Sequence, residues 1–105
     1  MEQPNLNYIN ELSGDNLEFK KKIISILKKE LSDEIEVYVE ELKNANYFLA
    51  AQSVHKLKHK ISILSLEKSY YIAEEYENNL KNNSTKLDVD FQNILKTIQE
   101  FVTGL

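Results

Sequence analysis

Residues 54–64 read VHKLKHKISIL. Val54, Leu57, Ile61 and Leu64 recur at steps of three and four, the spacing that lines one face of an α-helix. Ala50 extends the same stripe by one turn. A stripe of this width cannot bury itself, because a lone helix leaves its apolar face in water. It requires other amphipathic helices, so this stretch decides the class: helix packed on helix.

Working outward, the same period recurs. Asn46, after the break at Asn44-Ala45, reads as the N-cap of this helix. Upstream, Phe19, Ile23, Leu27, Leu31, Ile35, Tyr38 and Leu42 form a long stripe. Asp15 reads as its N-cap, and Glu18 three residues on completes a capping-box pattern. Lys20-Lys21-Lys22 and Lys28-Lys29 fall mostly off the stripe, on a solvated face. Before that, Leu6, Ile9 and Leu12 predict a short leading helix over Asn5 to Leu12, stopped at Gly14. Downstream, Glu67 to Lys81 carries Leu66, Tyr70, Ala73, Tyr76 or Glu77, and Leu80 along one side. A polar loop follows at Asn82-Asn83-Ser84-Thr85. Asp88 then opens a last helix with Phe91, Ile94 or Leu95, Ile98 and Phe101 inward.

The expected fold is all-α: an antiparallel up-down four-helix bundle with a short extra N-terminal helix. Its core should hold Ile23, Leu27, Leu31, Val54, Leu57, Ile61, Ile94 and Ile98. The 105 residues suit one domain over 1–105, and 42% hydrophobic content is enough for a packed core. With only Gly14, Gly104 and Pro4 as breakers, a many-turned β fold is not expected, and no glycine-rich nucleotide loop occurs. The net charge of −4 argues against a nucleic-acid-binding face. Cysteine is absent, which excludes disulfides, thiolate nucleophiles and Cys-based metal sites. No apolar run approaches the ~18 residues of a membrane span, and no leader pattern stands at the start. A cytoplasmic location without membrane insertion is the simplest expectation.

The polar side of the VHKLKHKISIL helix is unusual for so acidic a chain. Each helical residue turns about 100°, so His55 lies about 125° from the centre of the apolar stripe and should be exposed. Lys58 and His59 flank it one turn later. Ser62 follows a turn beyond, and the small Ala51 lies one turn before. Such a face is ordinarily just solvated. A metal is a second reading, since histidines at i and i+4 can share an ion. But Lys56, Lys58 and Lys60 oppose a cation, and Lys56 stands where an H-E-x-x-H helix has its glutamate. No metal and no cofactor are expected. The charges suit an anionic adduct better. A histidine that attacks phosphorus needs a neutral ring, which neighbouring ammonium groups favour. The same ammonium groups then stabilise the phosphoryl group.

This stretch, with its histidine midway along the second main helix, resembles the histidine-containing phosphotransfer (HPt) domain family. The family motif runs small residue, His, any residue, Leu, Lys, Gly, then a Ser or Ala region. His55, Leu57 and Lys58 match it. His59 stands where Gly is usual, and Ser65 after Leu64 occupies the second small position. The resemblance implies that His55 is the phosphoacceptor, through Nε2, and that Lys58 stabilises the phosphoryl group. It implies a phosphorelay carrier, monomeric and without autokinase activity. Its partners would be bacterial response-regulator receiver domains and a hybrid histidine kinase. Phe48, Ala51, Gln52, His59 and Ser62 are the expected docking residues, with Tyr47 near them. The competing expectation is a helical adaptor, or a degenerate relative, that docks receivers without phosphotransfer.

Overall fold

A computed structural model describes residues 2–105. Five helices account for the described residues, with no strand among them: α1 (Asn7–Ser13), α2 (Leu17–Lys43), α3 (Tyr47–Ile63), α4 (Glu67–Lys81) and α5 (Asp88–Thr103). The molecule measures 45 × 23 × 19 Å. At a rise of 1.5 Å per residue α2 is about 40 Å long, so it runs most of the long dimension. α3 packs against α2 and α4, α5 packs against α2 and α4, and α1 lies on α2. The contact between α3 and α4 is the most extensive.

The apolar stripes of these helices meet in one core. Leu27, Leu31, Ile35 and Tyr38 of α2 meet Ala50, Val54, Leu57 and Ile61 of α3, Ala73, Tyr76 and Leu80 of α4, and Phe91, Ile94, Leu95, Ile98 and Val102 of α5. Ile23 packs on this core half-buried. At its centre Tyr38, Tyr76 and Phe91 are each fully buried. Phe91 stands 5.2 Å from the Tyr38 ring and 5.1 Å from the Tyr76 ring, centroid to centroid. The two tyrosine hydroxyls hydrogen-bond to each other at 2.6 Å, which satisfies polar atoms that water cannot reach. Burial raises the pKa of both phenols, so the pair is neutral.

Helix starts follow local chemistry where a cap is present. Asn46 Oδ1 accepts the Leu49 N–H at 3.3 Å and caps α3 as expected. The cap of α2 is Asn16, not Asp15: Asn16 Oδ1 accepts from the Phe19 N–H at 3.0 Å, so the expected capping box does not form. α1 starts and stops later than the expected Asn5 to Leu12. Leu12 and Phe19 are exposed rather than inward. α4 has no cap of its own, and Glu2 supplies one from the chain's start by accepting the Ser69 N–H.

The three turns that join α2 to α5 share one device. Ala45, Ser65 and Asn83 each have positive φ, at 55°, 67° and 60°. In each, the following N–H reaches back five residues, Asn46 to Glu41, Leu66 to Ile61, and Ser84 to Asn79. These are Schellman closures, which normally use glycine because other residues strain in this region. The chain therefore ends three helices without a single glycine.

Candidate functional site

Helix α3 carries His55 midway along its 17 residues. Its apolar side, Val54, Leu57 and Ile61, is fully buried, which fixes the rotation of the helix. That rotation puts the His55 side chain 54% exposed on the seam with α4. Across the seam, α4 turns Glu77 inward beside Tyr76, so both inward alternatives on α4 are realised.

The Glu77 carboxylate, only 9% exposed, gathers three donors. The His55 Nδ1 lies 3.3 Å from Oε1 and 3.2 Å from Oε2. The Lys58 Nζ is 3.1 Å from Oε1, and the Lys81 Nζ is 3.3 Å from Oε2. Burial alone would push the carboxyl up, but the hydrogen bonds from Lys58, Lys81 and His55 outweigh it and hold Glu77 below the usual carboxylate range. An ionised carboxylate can only accept, so Nδ1 must be the nitrogen that carries the proton. In the neutral ring, Nε2 then holds the free lone pair. The His59 ring stands edge-on to His55, with centroids 5.1 Å apart and planes at 88°.

Two expected site residues are placed differently. Lys58 is not a solvated cation. Its side chain is 9% exposed, pinned to Glu77, and its ammonium lies 5.5 Å above the Tyr70 ring. Ala51 is 1% exposed and forms part of the core, so it offers no docking surface. The two lie seven residues apart, on nearly the same side of α3, and α4 encloses Lys58 through Glu77 and Tyr70. Phe48, Gln52, His59 and Ser62 are exposed on the same side of α3 as His55, with Phe48 68% exposed, and Tyr47 is half-buried. Glu77 and Lys81 were not among the expected site residues. The available signal was an acid at an inward phase of α4, with a lysine one turn after it.

The opposite flank of α3 has its own ion pairs. Lys60 Nζ lies 3.4 Å from Glu30 and 3.2 Å from Glu34, both on α2. Ser53 hydrogen-bonds to Glu41 on the same side. No histidine joins these groups. Among the described residues, no cluster of three or more His, Cys, Asp or Glu side chains is arranged to hold a metal, and no helix is long and apolar enough to cross a membrane. Compared with protein-family models, with curated proteins and with solved structures, the chain matches none.

Proposed function

We propose that this chain is a phosphorelay carrier of the histidine phosphotransfer kind, an antiparallel four-helix bundle that accepts a phosphoryl group on His55 and passes it on. The donor and acceptor would be aspartates of response-regulator receiver domains, fed by a hybrid histidine kinase in a bacterial cytoplasm. The observation that carries the reading is the Glu77 carboxylate on Nδ1 of an exposed imidazole. In the transfer, the Nε2 lone pair attacks phosphorus. The Nε2–P bond forms, the Oδ–P bond breaks, and the aspartate leaves with the electron pair. The ring takes on positive charge, and the buried carboxylate on Nδ1–H stabilises it, as a positioned acid does for an imidazolium in acyl transfer. No proton has to leave the ring. Transfer onward reverses these steps.

The role of Lys58 in this reading is indirect. It holds Glu77 in place, while Lys81, 53% exposed on the same carboxylate, is the cation a phosphoryl group can meet. His59, beside the acceptor, narrows which receivers fit. Receivers would dock across Phe48, Gln52, His59 and Ser62.

The second reading, a helical adaptor that docks receivers without accepting phosphate, is favoured by the enclosure of Lys58, only 9% exposed on Glu77, where a phosphoryl group on His55 has little access to it. One experiment separates the two. The chain is mixed with phosphorylated receivers, or with phosphoramidate, and assayed for phosphate that is acid-labile and base-stable. Wild type should take up label and His55→Gln should take up none while keeping its helical circular dichroism. Full labelling of the variant would rule out His55 as acceptor. Receiver binding with no label in wild type would establish the adaptor.

A further inference from the structure

The geometry points to a divalent transition-ion site at the His55–His59 pair, with the ion held on the same Nε2 lone pair that the phosphotransfer reading uses. Three features of the molecule support it.

The first is spacing. The two histidines are one helical turn apart on an exposed face, where side chains at i and i+4 are neighbours. Their rings are in edge contact at 5.1 Å between centroids. Both residues are exposed, so the His59 ring can turn toward an ion on His55 while Glu77 holds the His55 ring. The second is the outer partner. A metal-bound imidazole commonly gives its other N–H to a carboxylate, which fixes the tautomer and makes the ligating nitrogen more basic. Glu77 already does this to His55, and it lies on Nδ1, behind the exposed nitrogen. The third concerns charge. Four lysines bear on a cation here, the three of the α3 stretch and Lys81 of α4, but three of them are engaged by carboxylates, Lys81 sharing Glu77 with Lys58. Lys58 is paired with Glu77, and Lys60 is paired with Glu30 and Glu34 on the far flank of α3.

The protein supplies two ligands and no third, which fits the absence of any larger cluster among the described residues. Water completes the coordination, as it does where a site keeps open positions. Imidazole ligands favour zinc, nickel and copper over magnesium or calcium. The site is therefore an exchangeable one, selective for the late transition ions. A ligated Nε2 has no lone pair left to attack phosphorus. Ion and phosphoryl group thus exclude each other, and only this last consequence rests on the phosphotransfer reading.

The test uses the full chain and Zn²⁺ alone, followed by isothermal titration and by the histidine ring resonances in NMR. Wild type should bind one ion, with the ring signals of His55 and His59 moving together and Mg²⁺ moving neither. His59→Ala, an exposed change that leaves the core intact, should lose at least about tenfold in affinity. Glu77→Gln should lose about 10- to 100-fold, the usual effect of removing such an outer partner. Zn²⁺ should also slow modification of His55 by diethyl pyrocarbonate, a readout that does not depend on phosphotransfer. Equal affinity in wild type and His59→Ala, or zinc binding that moves neither ring, would overturn the proposal. Zinc binding by a chain that takes up no phosphate would leave the site standing and remove the phosphotransfer reading.

Discussion

Lys58 and Lys60 sit two residues apart on α3, and about 200° of rotation sends them to opposite flanks. Lys58 meets Glu77 of α4, and Lys60 meets Glu30 and Glu34 of α2. Both side chains are largely enclosed, at 9% and 14% exposure. By pairing alone the flanks are alike: each satisfies a long cationic side chain at a helix seam with a carboxylate from the next helix. They differ in what else the carboxylate receives. Glu77 also takes the N–H of an exposed imidazole, and the α2 carboxylates take none. An ion pair at a seam is an ordinary structural feature. What distinguishes the α4 flank is the third partner, whose other nitrogen the carboxylate does not engage.

The largest effect should come from what both flanks share. Leu57 is fully buried between them, and Leu57→Ala should cost roughly 2–5 kcal/mol in urea unfolding. A loss under about 0.5 kcal/mol, the surface level, would contradict the packing that holds either flank together.

Glu77→Gln should separate the flanks. Losing a hydrogen bond to a charged group is worth about 1.5–3 kcal/mol, which slows phosphoryl transfer to His55 roughly 10- to 150-fold. Stability should fall as well, because Lys58 is left enclosed without its counter-charge. The double variant Glu77→Gln/Lys58→Met should recover stability but not rate. Recovery of both would reduce Glu77 to a structural residue. The pH dependence follows from the same carboxylate. Its pKa is lowered in the folded chain, so its stabilisation is present above the ordinary carboxylate range and is lost as pH falls through the lowered value. Urea midpoints across acid pH should show this loss in wild type and a flatter profile in Glu77→Gln.

Lys60→Met breaks the other flank. It should cost about 1–2 kcal/mol of stability, from the lost contacts with Glu30 and Glu34, and leave the transfer rate unchanged. A rate loss as large as that of Glu77→Gln would erase the distinction between the flanks. The smallest effect on stability is expected from His59→Gly. Glycine within a helix costs about 1 kcal/mol of stability. Phosphorylation of His55 should persist, and the set of receivers that react should broaden, because a bulky ring excludes partners that a glycine admits. Loss of transfer from every receiver, with the fold intact, would mean the ring takes part in the chemistry.

Much of the fold was legible because it is local. Asn46 stands before an apolar period and caps α3. Glu67 and Lys81 bound α4 as the sequence predicts, with no strong breaker at either end. The turns were legible as positions and not as conformations. Nothing in Ala45 or Ser65 announces a left-handed backbone, since neither residue prefers it. That conformation is imposed because a Schellman closure satisfies the last carbonyls while the stripes on either side bury together. Asn16 caps α2 in place of Asp15, although both side chains are able, because the helix begins at Leu17 and puts Asn16 at the cap position.

The site divides along the same line. Periodicity by itself determined that His55 leaves the stripe and is exposed, because the rotation of a residue about its own helix depends only on that helix. It likewise determined that Glu77 lies near the inward side of α4. Only the tertiary structure decided that these two residues meet, that Lys58 is enclosed with them, and that Ala51 is sealed in the core. His55 and Glu77 are 22 positions apart, on different helices. Whether they touch depends on which helix lies beside which, and at what height along the seam. That is settled by the packing of all the stripes together, and no local period encodes it.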